Sequence, residues 1–184
     1  MREIIYDVAV TLDGYIAAPG GDVSGFPQSG PHAETYAQRL ATYDTVLMGR
    51  ATYEFAYDFG LPAGARAYPH MAHYIFSGGI ALPEDAAVTA VRSDWRDCVD
   101  TLRMQKGAEI YLCGGGQFAG WMLSENLIDR LVLKRVPITL GAGIPLFDTK
   151  GSGVRVSEDG TWHCLGTTPY ENGVVLETYA RRSA

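Results

Sequence analysis

Two stretches of the chain repeat one chemical device, an apolar run that ends in glycine and passes straight into a helix start. One is Met48-Gly49-Arg50-Ala51-Thr52, and the other is Leu112-Cys113-Gly114-Gly115-Gly116-Gln117. The first turn of a helix leaves backbone N–H groups without intrahelical acceptors and carries partial positive charge, so it suits phosphate oxygens. Glycine lets such an anion approach the backbone with no Cβ in the way. Arg50 adds a forked cation and Thr52 a hydroxyl donor. Two such turns on one sheet would grip both ends of a pyrophosphate. Taken singly, each also reads as an ordinary tight turn after a strand.

Other patterns fall away. Gly114-x-Gly116-x-x-Ala119 satisfies the dinucleotide fingerprint, but that fingerprint belongs on the first strand of its sheet, with an acidic residue ~20 positions on. Here it lies late in the chain, and positions 134–138 read Lys134-Arg135-Val136-Pro137-Ile138. The chain contains no G-x-x-x-x-G-K-S/T loop and no G-x-S-x-G elbow. His70 and His73 flank a strand start without a second pair at metal spacing, and His163-Cys164 stands apart; no metal site is expected. Tyr53 and Tyr57, four apart, read as helix packing.

The elements that must position the glycines alternate. Strands are expected at Ile4 to Val10, Thr45 to Met48, His73 to Phe76, Ala87 to Val91 and Glu109 to Cys113. Helices are expected from about His32 to Thr42, after Gly49, from an N-cap at Ser93 to a stop at Gly107, and through Phe118, Trp121 and Met122. The last third reads as strands: Leu131 to Ile138, Val154 to Val156, Thr161 to Thr167 and Val174 to Tyr179, with Glu171-Asn172-Gly173 as a hairpin turn. Strand–helix alternation followed by bare strands predicts a mixed α/β sheet, parallel first and antiparallel at its C-terminal edge. The Gly-, Pro- and Ser-rich stretch from Pro19 to Pro31 is too long for a turn and reads as a functional cover.

Composition limits the remaining choices. The 184 residues carry a net charge of −6, with 47% hydrophobic and 20% charged residues, as expected of one domain with a sizeable core. The acidic balance argues against a nucleic-acid partner, which requires a cationic face. No apolar run approaches the ~18–20 residues of a membrane span, and Asp7 interrupts the first apolar run, so no signal core forms. Three widely spaced cysteines disfavour a disulfide framework. A cytoplasmic location is the resulting expectation.

Several stretches, in order, are similar to a known family. They are Val8 to Ala17 (Val-Ala-Val-Thr-Leu-Asp-Gly-Tyr-Ile-Ala), Leu47 to Glu54, Ile110 to Gly116, and Leu127 to Leu131 running on to Gly141 to Phe147. The chain resembles the dihydrofolate reductase-like proteins, in particular the C-terminal reductase domain of the riboflavin-biosynthesis deaminase/reductase. The resemblance extends over most of the chain. It implies a three-layer α/β fold: a central, mostly parallel eight-stranded sheet, helices on both faces and an antiparallel C-terminal edge. It also implies NADPH as cofactor, a small heterocycle as substrate and a homodimer. Ala9 and Ile16 would lie near the nicotinamide, Gly49, Arg50, Ala51 and Thr52 would hold the phosphate-bearing portion, and Ser77 would approach the 2′-phosphate. Gly114, Gly115, Gly116 and Gln117 would cover the pyrophosphate. Many relatives carry Arg after the residue matching Ser77, whereas this chain has Gly78-Gly79, which leaves NADH open as an alternative.

Hydride transfer to a C=N or C=O group also needs a proton. In folate reductases a carboxylate on the helix after the long loop serves, and Glu34 occupies the comparable region here; as a surface acid it would merely stabilise the helix dipole. Asp13 is the second carboxylate near the expected pocket, although a Leu-Asp-Gly turn also lets it bind local N–H groups. Phe26 could stack on a planar substrate or anchor its loop. The expected activity is that of a 5-amino-6-(5-phosphoribosylamino)uracil reductase. The alternatives are dihydrofolate or pterin reduction, which the missing Pro-Trp of folate reductases disfavours, and cofactor binding without turnover. No P-C-x-x-C deaminase motif is present.

Overall fold

Alternation along the first strand sets the two faces of the sheet. In the computed structural model, which describes residues 1–149 and 161–181, β1 (Ile4–Thr11) buries Ile4, Tyr6 and Val10 on one side and Ile5 on the other. β3 (Thr45–Gly49) and β6 (Ile110–Gly114) repeat the pattern. Leu47 and Leu112 join the side of Ile4, and Val46, Met48 and Tyr111 join that of Ile5. Helices α3 (Trp95–Met104) and α4 (Gly116–Ser124) cover the first face with Val99, Leu102, Phe118 and Met122. Helices α1 (Pro31–Leu40) and α2 (Arg50–Phe55) cover the second with Leu40 and Tyr53.

With β4 (Ala72–Phe76), β5 (Thr89–Val91), β7 (Arg130–Val136), β9 (Trp162–Pro169) and β10 (Val175–Arg181), the sheet has eight strands in the order β5-β4-β3-β6-β1-β7-β10-β9. The first six are parallel, and β10 pairs antiparallel with both β7 and β9. The dihydrofolate reductase-like sheet expected from the sequence is the one observed. The hairpin turn forms as expected, with Gly173 at φ +82° and the Tyr170 N–H donating to the Val174 carbonyl at 2.8 Å.

The boundaries differ in instructive ways. The helix expected at Ser93 starts at Trp95, because Asp94 takes a left-handed conformation (φ 53°) and receives the Ser93 hydroxyl hydrogen bond itself. That helix also ends at Met104, and Gly107 serves a different purpose: a Cβ there would meet the Asp44 carboxylate and the Arg2 guanidinium. β7 stops at Val136, before Pro137, which has no N–H for the ladder. Two short strands, β2 (Tyr15–Ala17) and β8 (Ile144–Pro145), pair antiparallel as a separate ribbon. The strand expected at Val154 to Val156 lies outside the described residues.

Candidate active site

In an open α/β sheet, ligands bind beyond the carboxyl ends of the strands. β3 and β6 are neighbours, and their glycine turns therefore lie side by side, with Met48 opposite Gly114. The approach is close. A Cβ on Gly49 would stand 3.2 Å from Phe118 Cβ, and one on Gly115 would stand 3.0 Å from Thr52 Oγ1. Gly49 caps α2 and Gly115 caps α4, both in extended conformation, so the two helix starts flank one strip of backbone. Gly114 needs its freedom for another reason: it has φ +110° beside the Tyr6 ring, and its peptide bond to Gly115 is cis.

Not every glycine faces that strip. A side chain on Gly116 would run into the Pro145 carbonyl oxygen, and one on Gly120 into that of Asp148. Gly116 is therefore fixed by the close passage of β8 and the residues after it, whose Asp148 N–H donates to the Gly116 carbonyl at 2.9 Å.

Next to the strip lies a cavity of about 360 Å³. Among its lining residues are Ala9, Ile16 and Thr52, three of the positions expected near a cofactor, together with Phe26. The long loop supplies Val23, Phe26, Pro27 and Gln28, so the stretch expected to be a cover does wall the cavity. Phe26 anchors its loop, buried against Val136 and Val174, and also lines the cavity. Gly49, Arg50, Ala51, Ser77, Gly114, Gly115, Gly116 and Gln117 stand outside this cavity. Arg50 is half exposed and pairs with Glu54 at 3.4 Å, one helical turn on.

The two carboxylates singled out from the sequence are elsewhere. Glu34 is exposed on α1 and is not part of the cavity wall, because the helix turns His32, Ala33 and Tyr36 inward instead. Asp13 is exposed in the β1–β2 turn. Its carboxylate accepts hydrogen bonds from the Thr11 hydroxyl at 2.6 Å and from the Leu140 and Gly141 N–H groups at 3.0 and 2.7 Å. The Thr11 bond, followed by that from Gly141, holds its pKa below the usual carboxylate value. Asp13 thus ties two loops together.

The ionisable groups on the cavity floor are ones that sequence reasoning missed. Asp7 is fully buried, and its carboxylate accepts from Arg39 Nε at 2.7 Å, Arg39 Nη2 at 3.1 Å and Lys134 Nζ at 3.0 Å. The Lys134 ammonium stands 3.2 Å from the centroid of the Tyr36 ring, a cation–π contact in a desolvated setting. Burial lowers the Lys134 pKa, while Asp7 opposes that shift. Tyr36 and Tyr111 share a hydroxyl–hydroxyl hydrogen bond of 2.7 Å, and burial raises the pKa of both. His32 is buried at the rim, with Nε2 3.1 Å from the Pro27 carbonyl and Nδ1 2.9 Å from Asn172 Nδ2. The charge of Asp7 inside an apolar strand was the available signal.

On the β4 side, the Ser77 N–H donates to the Val91 carbonyl at 3.0 Å, and the Ser77 hydroxyl accepts from the Gly79 N–H at 3.3 Å. That pairing sets Arg92, exposed at the end of β5, beside Ser77.

Comparison with known proteins gives a consistent result. Residues 2–176 match the RibD C-terminal domain. The Bacillus subtilis (strain 168) protein YwjB is 29% identical over 161 residues, covering 87% of this chain and 91% of its own. Among solved structures, dihydrofolate reductase from Enterococcus faecalis, complexed with NADP(H), superposes with a TM-score of 0.70 at 16% identity, covering 98% of this chain and 97% of its own. The diaminohydroxyphosphoribosylaminopyrimidine deaminase/5-amino-6-(5-phosphoribosylamino)uracil reductase of Thermotoga maritima gives a TM-score of 0.70 at 14% identity, covering 98% of this chain and 57% of its own. No helix among the described residues is long and apolar enough to cross a membrane.

Proposed function

The chain belongs to the RibD C-terminal domain family, and from that premise we propose that it is an NADPH-dependent reductase of a small nitrogen heterocycle, resembling 5-amino-6-(5-phosphoribosylamino)uracil reductases. The observation that carries the proposal is a juxtaposition. A cavity of about 360 Å³, walled by Ala9, Ile16, Phe26 and Thr52, opens beside two glycine turns that touch at the ends of adjacent parallel strands.

The residues present fit a dinucleotide. At Gly49 and Gly115 the two turns pack so closely that a Cβ would meet Phe118 or Thr52, and the N–H groups of the first turns of α2 and α4 would serve a pyrophosphate. Gly49, Arg50, Ala51 and Thr52 would hold one side of it, and Gly114, Gly115 and Gln117 the other. Ser77 and Arg92 would take a 2′-phosphate, with Arg92 supplying the cation that Gly78 does not. A bound dihydronicotinamide supplies the hydride, which with one proton reduces a C=N or C=O bond. Ala9 and Ile16 would shape the wall for the nicotinamide and exclude water from it. Phe26 offers a ring face to a planar substrate, and the loop that carries it closes the cavity from solvent.

The test is a fluorescence titration with NADPH and, separately, NADH, followed by NADPH oxidation assays with 5-amino-6-(5-phosphoribosylamino)uracil and with dihydrofolate. Saturable NADPH binding, weaker NADH binding and oxidation with the uracil compound are expected. Failure of both nucleotides to bind at millimolar concentration would refute the reading and return the glycines to turn chemistry.

A further inference from the structure

The ionic cluster that meets the cavity through Asp7 and Lys134 carries more positive than negative charge. Asp7 contributes one negative charge, and Arg39 and Lys134 contribute two positive ones, all within direct hydrogen-bond contact. The strands dictate this. β1 and β7 run parallel with Ala9 opposite Lys134 and Asp7 opposite Val132, so Asp7 and Lys134 are diagonal neighbours on one face. Asp7 lines the cavity too, but both of its oxygens already accept bonds from cations, so its charge is compensated before a ligand arrives. Lys134 is in the opposite position. Asp7 is its one hydrogen-bond acceptor among the described residues and the Tyr36 ring covers one side, which leaves an N–H donor for the cavity that Lys134 lines. A buried excess cation with a spare donor calls for an acceptor or an anion from the ligand.

Resting on the reductase reading above, we propose that Lys134 is the substrate-recognition residue of this site. It selects a heterocycle that presents a carbonyl or deprotonated ring edge and rejects one that presents an amidine edge. Asp7 and Arg39 are positioning residues that hold the ammonium toward the cavity. An amidine or protonated ring nitrogen is a donor and needs a free carboxylate, which this floor does not offer. A 2,4-dioxopyrimidine edge offers acceptors. The groups facing Lys134 are Asp7 from β1, Arg39 and Tyr36 from α1, and Cys113 from β6, with Tyr111 of β6 bonded to Tyr36. Burial raises the pKa of Tyr36, Tyr111 and Cys113, so these three remain neutral and do not offset the cation.

The test is calorimetric binding of two probes, 5,6-diaminouracil and 2,4-diaminopyrimidine, to the wild-type protein and to Lys134→Met. NADPH titrations of both proteins run alongside. The uracil probe is expected to bind more tightly, and Lys134→Met should weaken it about tenfold to a hundredfold, the range of one charge-assisted hydrogen bond. The NADPH affinity should stay unchanged. Should Lys134→Met fold poorly by circular dichroism, Asp7→Asn/Lys134→Met, which removes both charges, must show the same loss of preference. Asp7→Asn alone tests positioning: with its counter-charge gone, the Lys134 pKa falls further, and uracil-probe binding is lost at a lower pH than in wild type. A purely structural Asp7 would leave that pH profile in place. Equal binding of the uracil probe by wild type and Lys134→Met, preference for the diaminopyrimidine, or no binding of either probe would overturn the proposal. Absence of NADPH binding to the wild-type protein would instead refute the reductase reading, and that arm reads it separately.

Discussion

Removing the carboxylate of Asp7 is the sharpest perturbation of this fold. Asp7→Asn preserves side-chain shape while deleting the only negative charge among three buried partners. The Asp7 side chain is 0% exposed, against 22% for Arg39 and 7% for Lys134, so the two cations would be left facing one another with little solvent. Breaking a buried ion pair from one side costs ~3–5 kcal/mol, and because Arg39 reaches solvent and Asn still accepts one hydrogen bond, about 3 kcal/mol is expected. For a chain of this size that corresponds to a fall in Tm of ~6–12 °C. Thermal unfolding followed by circular dichroism measures it. The cycle is completed with Lys134→Met and the double variant, in which the orphaned ammonium is gone. The double variant should lose less than the two single losses added together, by about 1–3 kcal/mol. Melting of Asp7→Asn within ~2 °C of wild type, or strict additivity in the cycle, would refute the claim that these charges stabilise one another.

Four further outcomes follow from other parts of the site. Gly120→Ala drives a methyl group into the Asp148 carbonyl and should lower the urea midpoint by the equivalent of ~1–3 kcal/mol, whereas Gly79→Ala, where the methyl meets nothing within 4 Å, should be close to neutral. Arg92→Ala should weaken NADPH binding about tenfold while leaving NADH binding unchanged, since only the former carries the 2′-phosphate; equal effects on both would exclude a specific contact. Glu34→Gln should leave the reductase rate unchanged, because Glu34 is exposed and apart from the cavity; a large fall in kcat/KM would restore it as a proton donor. Asp13 has a folded-state pKa below its ordinary value of 3.8, so its contribution to stability is complete above that value and is lost as the pH falls through the lowered one. Asp13→Asn should therefore flatten the acid limb of the stability profile, and an unaltered limb would remove Asp13 from the account.

The strand–helix alternation made the sheet legible, because apolar runs of four to six residues bounded by glycine leave few alternatives. Boundaries were less legible where tertiary contacts decided them. Ser93 has the chemistry of an N-cap, yet Asp94 adopts a left-handed conformation and moves the helix start to Trp95. Gly107 reads as a helix stop, although what excludes a side chain there is the Arg2–Asp44 ion pair packed against it. Gly116 belongs to a glycine run that suggested phosphate contact throughout, but the chain passing at Pro145 accounts for that position. A glycine in sequence says only that something approaches the backbone; the fold says what.

The ionic floor of the cavity shows where local patterns stop carrying information. Asp7 and Lys134 are separated by 127 positions, and each reads as a polar interruption of an apolar strand. They meet because β1 and β7 pair in parallel at one register, Ala9 against Lys134. A shift of that register by one residue would turn Lys134 to the opposite face, among Leu131 and Leu133, away from Asp7. Arg39 completes the cluster from α1, which lies across the same face of the sheet as Ile5 and Val132. The same register that creates the pair also compensates the charge of the carboxylate and leaves the ammonium open. The chemistry of the floor is therefore decided by strand pairing, and a change in substrate preference need not alter any residue of the glycine turns.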